Sequence, residues 1–248
     1  MLLQEPPRSD GDLNFVLFRV PVRIHPWFWV IMLLLGPLRG GPMPLVAWII
    51  AVFLSILLHE FGHAAAMRSF GFYPSIVLYG MGGLTSWGPG AYGARNPGPA
   101  GRVLVSAAGP AAGFGFAAAL YAILRLAGYE VAVEVGLPEV VAIRLQQLVV
   151  SEGLTVFIHY LFFVNVAWGV LNLLPIYPLD GGQIARELLE QASPAQGLRF
   201  SLMLSAFTAI LIAIYAAVEW QSLWIAIFFG FLGFSSLQAL AAWGRGPW

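Results

Sequence analysis

Residues Leu45–Phe70 read LVAWIIAVFLSILLHEFGHAAAMRSF. No charged side chain interrupts 45–58, and then His59, Glu60 and His63 arrive together, ahead of Arg68. About 20 apolar residues suffice to cross the hydrocarbon core of a bilayer, so this stretch predicts a membrane-spanning helix. Each ionisable group inside such a helix costs a few kcal/mol unless something compensates it. Three in five residues therefore demand a reason.

The rest of the chain has the same character. Of 248 residues, 59% are hydrophobic and 10% are charged, against roughly 25% charged in an ordinary soluble domain. Apolar runs recur at Pro26–Leu38, Val103–Leu126, Leu154–Leu174, Leu198–Val218 and Ser222–Trp243. The expectation is a single all-α polytopic membrane domain over 1–248 with about six transmembrane helices. The first of these, Pro26–Leu38, is short and borrows from Val20–His25. Residues 1–25 read as a cytoplasmic N-terminal segment, since Glu5, Arg8, Asp10, Asp12 and Arg19 leave no room for the apolar core of a signal peptide. Between the second and third runs, Gly71–Gly101 is rich in Gly and Pro, with a β-like, membrane-associated stretch at Ser75–Tyr79. Gly80-Met-Gly-Gly83 after it suits either a flexible surface turn or an exposed strand edge that accepts substrate as a partner strand. Gly128–Gly153 carries Glu130, Glu134, Glu139 and Glu152 and suits an interfacial helix.

Net charge is zero, which gives no case for a nucleic-acid partner; the partners expected are the lipid bilayer and whatever the site acts on. There are no cysteines, so any metal must be held by His, Asp or Glu. All basic residues are Arg, and their distribution sets orientation. With the N-terminus cytoplasmic, nine of them (Arg8, Arg19, Arg23, Arg68, Arg95, Arg102, Arg186, Arg199 and Arg245) face inward and three (Arg39, Arg125 and Arg144) outward. Both termini are then cytoplasmic.

His59-Glu60-Phe61-Gly62-His63 fits the H-E-x-x-H zinc pattern. Residues four apart share one helix face, so both imidazoles reach one metal ion. Glu60, offset from the pair, suits a general base. A zinc ion here lowers the pKa of water to about 7 and so relieves the burial problem while supplying chemistry. A third protein ligand must lie at the same depth. His63 precedes Arg68 by five residues, about 8 Å of helix rise, which puts the metal near the cytoplasmic side. Glu130, Glu134, Glu139, Glu152 and Glu219 fall at the opposite face, whereas Asp180 follows an inward-running span. Around it the chain reads NLLPIYPLDGG, Asn172–Gly182, with two prolines that stop a helix and two glycines that free the backbone.

HEFGH in an early span with NLLPIYPLDGG after a later one resembles the site-2 protease family of intramembrane zinc metalloproteases. The resemblance extends over most of the chain, including Pro21–His25 and Gly80–Leu84. It implies one zinc held by His59, His63 and Asp180, Glu60 as base, and Asn172 as an amide that binds substrate or the oxyanion. It also implies a membrane-spanning protein substrate, a prokaryotic inner membrane, and a part in regulated intramembrane proteolysis. One departure stands out: the family commonly has an Asn shortly after a Gly-Pro in the third span, and Gly109-Pro110-Ala-Ala-Gly113 has none. Alternatives from the same residues are a membrane-anchored zinc protease acting on soluble or misfolded chains, and a catalytically silent zinc-binding scaffold. Of the stray signals, Gly109 and Gly113 suit close helix packing. His25 suits the interface near Arg23, and His159 suits a hydrogen bond inside the bundle or a place along a water path.

Overall fold

The computed structural model describes residues 5–37, 40–87, 95–134 and 142–243. Arg39, Glu139 and Arg245, counted above, lie outside the described residues, as do the side chains of Glu134 and Arg144. Backbone proximity divides the chain into two units, Met1–Asn96 with Ala108–Gly169, and Pro97–Ala107 with Val170–Trp248.

The first unit is built on a four-stranded sheet in the order β1-β2-β3-β4: Leu13–Leu17, Val20–Ile24, Pro74–Tyr79 and Gly82–Trp87. Strands β1 and β2 form a hairpin whose turn places Phe18 and Arg19 in the left-handed region, at φ 48° and 62°. Strands β2 and β3 are parallel, as a long crossover requires. That crossover is α1, Pro26–Leu35, followed by α2, Pro42–Ser69. Strands β3 and β4 close a second hairpin, with Gly82 at φ +117° in its turn. Val20, Val22, Ile24, Ile76 and Leu78 point from the sheet onto Phe28 and Met32 of α1 and Val52, Ile56 and Leu57 of α2. Removing this much apolar surface from contact with water or lipid headgroups fixes α2 against the sheet. His25 caps α1, its Nδ1 accepting from the Trp27 amide at 3.3 Å, and Trp48 of α2 donates to the Met32 carbonyl at 3.0 Å.

Helix α3 spans Gly98–Leu126 and belongs to both units; a two-stranded ribbon follows, β5 Val131–Glu134 and β6 Ala142–Leu145. Among the described residues of Gly128–Gly153, strands stand where an interfacial helix was expected. The β-branched Val131 and Val133 suit the pleated strand they form. Helix α4, Glu152–Phe163, starts on a Ser151 cap, passes through a π-helical turn at Val164–Trp168 and ends as α5, Gly169–Asn172.

In the second unit, α6 (Asp180–Ala192), α7 (Gly197–Val218) and α8 (Leu223–Trp243) pack in sequence around Ile176, Ala209, Phe229 and Leu232. Ser205 of α7 meets Ser236 of α8 at 2.7 Å and also accepts from the Tyr177 amide at 2.8 Å, tying the loop before α6 to the helix pair.

Among the described residues, five helical segments are long and apolar enough to cross a membrane: Pro42–Ser69, Gly98–Leu126, Glu152–Asn172, Gly197–Val218 and Leu223–Trp243. The protein is an integral membrane protein with a mostly helical fold. The sixth run, Pro26–Leu38, forms only the ten-residue α1, because Val20–Ile24 is spent on β2 and Gly36-Pro37 ends the helix. His159 is exposed beside Tyr160 and, among the described residues, has no hydrogen bond within the bundle, because Ile158, Leu161 and Phe162 form the buried face of α4.

Candidate metal centre

His59 and His63 lie one turn apart on α2, both buried, with their Nε2 atoms 3.1 Å apart. The rings meet edge to face. Two imidazole nitrogens converge in this way when one hydrogen bonds the other or when both turn lone pairs to one cation. Helix α3 comes close to them because it has no side chain at Gly109: a Cβ there would collide with Nε2 of both histidines. On α2 itself, Gly62, directly before His63, faces the Ala108 carbonyl just as tightly. Gly109 and Gly113 thus do pack helices, and what Gly109 packs against is the histidine pair.

Gly113, one turn further along, faces Asn165. This side chain is 3% exposed and sits in the π-helical turn of the fourth span. Its amide donates to Ser55 Oγ and to the Leu161 carbonyl, each at 2.8 Å. Ser55 precedes His59 by one turn, so a buried amide lies one turn below the histidines on the α2 side. The departure noted at Gly113 therefore coincides with an Asn delivered from another helix. No local pattern around Val164–Trp168 announces it.

Glu60, also buried, turns its carboxylate toward β4, where Thr85 Oγ1 donates to Oε2 at 2.6 Å. Gly83 of the same strand is equally close: a Cβ there would fall on Glu60 Oε1, Cγ and Cδ. Sequence reading missed Thr85, which lies 25 residues from Glu60 and carries no motif.

Asp180 is the first residue of α6 and 7% exposed; Asn172, 8% exposed, ends α5. The glycines after Asp180 have a packing reason. A Cβ at Gly181 would strike the Leu173 and Leu174 carbonyls, and one at Gly182 would strike the Ile176–Tyr177 backbone. The proline loop can therefore lie flush against the start of α6, which fixes where Asp180 emerges.

Among the described residues, His59, His63 and Asp180 are a group that could hold a metal ion, each offering one ligand atom. Two imidazoles and one carboxylate are a three-ligand set that suits zinc and leaves its fourth position for water or substrate. A side chain at position 109 would fill the space against both Nε2 atoms, and glycine keeps it open. The residues fit the ion. His25 lies elsewhere, spent on capping α1.

Comparison with known proteins agrees. Residues 47–215 match the family model of peptidase family M50. The zinc metalloprotease Rip3 of Mycobacterium tuberculosis, from two strains, is 32% identical over 190 residues, covering 73% of this chain and 42% of Rip3. The chain thus spans less than half the length of these relatives. Among solved structures, the site-2 protease from Methanocaldococcus jannaschii superposes with a TM-score of 0.59 at 18% identity, over 92% of this chain and 95% of that one, a likeness of fold. A match over most of the chain, carried by the segment that holds both histidines and Asp180, makes this protein a member of peptidase family M50, the site-2 protease family of zinc metalloproteases.

Proposed function

We propose that the chain is an intramembrane endopeptidase that hydrolyses peptide bonds within or near the membrane-spanning segments of other proteins, with one zinc ion held by His59, His63 and Asp180. The observation that carries this reading is the buried His59–His63 pair, with Glu60 between them, inside a 28-residue apolar helix. When bound, zinc would acidify water and polarise a carbonyl. Glu60 takes the proton from water and passes it to the leaving nitrogen, a role that needs a carboxylate within hydrogen-bond reach. Asn172 offers amide N–H groups to the oxyanion as charge develops on it. The substrate helix unwinds locally first, because its carbonyls are otherwise engaged in i→i−4 bonds.

Substrate enters, on this proposal, as an extended segment beside β4. That strand is at the edge of the sheet and carries Gly83 next to Glu60. The proposed orientation places both termini and the β3–β4 hairpin on the cytoplasmic side of a prokaryotic inner membrane. A role in regulated intramembrane proteolysis follows the family resemblance.

Metal content and turnover measured together on wild-type and Glu60→Gln protein test the reading. Zinc bound equally by both and cleavage by the wild type alone would support a protease. Zinc without cleavage in either would favour a silent scaffold, and cleavage confined to soluble chains would favour a membrane-anchored protease of a different kind.

A further inference from the structure

We infer that Thr85 is a positioning residue for Glu60, acting from the edge strand β4 to fix the plane of the carboxylate. The inference rests on the reading of Glu60 as general base.

Four features carry it. The Thr85 Oγ1 to Glu60 Oε2 distance is 2.6 Å, within the range of charge-assisted O–H···O⁻ bonds. The same hydroxyl lies 3.1 Å from the Glu60 carbonyl, but it has one proton, and the shorter, charged acceptor takes it. Gly83 presses on the other carboxylate oxygen: a Cβ would overlap Oε1, so the backbone of β4 lies directly against the group. Finally, the strand that presents Thr85 is firmly mounted. Thr85 pairs with Ile76, and β3 buries Ile76 and Leu78 in the core of the first unit.

A free Glu side chain has three soft torsions and samples many orientations. One bond to Oε2 and one glycine contact at Oε1 remove most of that freedom before substrate arrives. A carboxylate has about four lone-pair sites, so Thr85 occupies one and leaves the others for proton abstraction. The chemistry of the base is unchanged; its aim is set.

The test compares Thr85→Val, which keeps the β-branched shape and removes the hydroxyl, with Thr85→Ser, which keeps the hydroxyl. Cleavage of a single-span Leu/Ala model peptide with a central Asn-Gly break is measured in detergent micelles, with zinc per chain on the same samples. Thr85→Val is expected to lower kcat roughly 10- to 100-fold, as loss of an outer-shell partner does, with KM and zinc per chain unchanged. Thr85→Ser restores most of the rate. Isotope-edited infrared spectra of ¹³C-Glu protein supply a readout that needs no turnover. The Glu60 carboxylate band, assigned by its loss in Glu60→Gln, shifts in the Val variant and stays in place in the Ser variant. An unshifted band with wild-type kcat in Thr85→Val overturns the inference, as does a Ser variant as slow as Val or a defect confined to KM or zinc. If the wild type leaves the peptide intact, the protease reading suffers, while the infrared comparison still decides Thr85.

Discussion

A histidine pair, a glutamate and an aspartate do the chemical work proposed here, and each owes its position to a residue with no chemistry of its own. Gly109 is the plainest case, since any side chain there meets both imidazole nitrogens. Gly109→Ala is expected to displace His59 or His63 and weaken zinc retention while α3 stays helical, because Ala is the better helix former. Competition with a chelator, followed by circular dichroism, checks both halves of the statement. Asp180→Ala removes the carboxylate of the metal group. It should strip most of the zinc from the purified protein, and unchanged stoichiometry and affinity would remove Asp180 from the ligand set.

At the scale of elements, the DGG start of α6 and the N-terminal hairpin are separable tests. Gly181→Ala forces a methyl into the Leu173 and Leu174 carbonyls, which should cost about 1–3 kcal/mol as overpacking does and appear as a lowered melting temperature in detergent. At the other end, Arg23 of β2 donates to Glu5 at 2.8 Å and to Asp12 at 2.9 Å, pinning residues 5–12 to the sheet. The Arg23 guanidinium, with help from Ser9, holds the Asp12 carboxyl down at about 2. Because the folded value lies below the usual carboxylate range, near 4, the stabilisation is complete above that range and is lost as pH falls toward 2. Proteolysis or hydrogen exchange of residues 5–12 between pH 5 and 2 should show this segment loosening. Protection that persists unchanged to pH 2 would contradict it. These elements also mark the reach of sequence reading. HEFGH was legible because its spacing is that of one helix face, and LDGG because prolines and glycines announce a break. Strands β1 and β2 were not: Val20, Val22 and Ile24 do alternate, but Pro21 stands between them and argues against a strand, and β1 leaves Leu13–Val16 exposed, so neither five-residue run stands out from its surroundings. Thr85 and Asn165 were invisible for another reason. Each acts across a long sequence separation, on Glu60 and on Ser55, and nothing adjacent in the chain encodes the contact.

For the whole molecule, orientation and activity are the open quantities. The orientation proposed from the Arg distribution puts residue 95 on the cytoplasmic side. The chain has no cysteine, so Arg95→Cys supplies a single reporter. Labelling of sealed inside-out vesicles and not of intact cells is the expected result; the reverse would invert the topology. The central claim concerns chemistry inside the membrane, and the most direct measurement of it is cleavage of a single-span peptide in proteoliposomes. Wild-type and Glu60→Gln protein should be compared at equal zinc content and equal melting temperature. Glu60→Gln should retain the metal and the fold while losing roughly 10²–10⁴-fold in rate, the usual contribution of general acid–base catalysis. Equal cleavage by the two proteins would contradict the account.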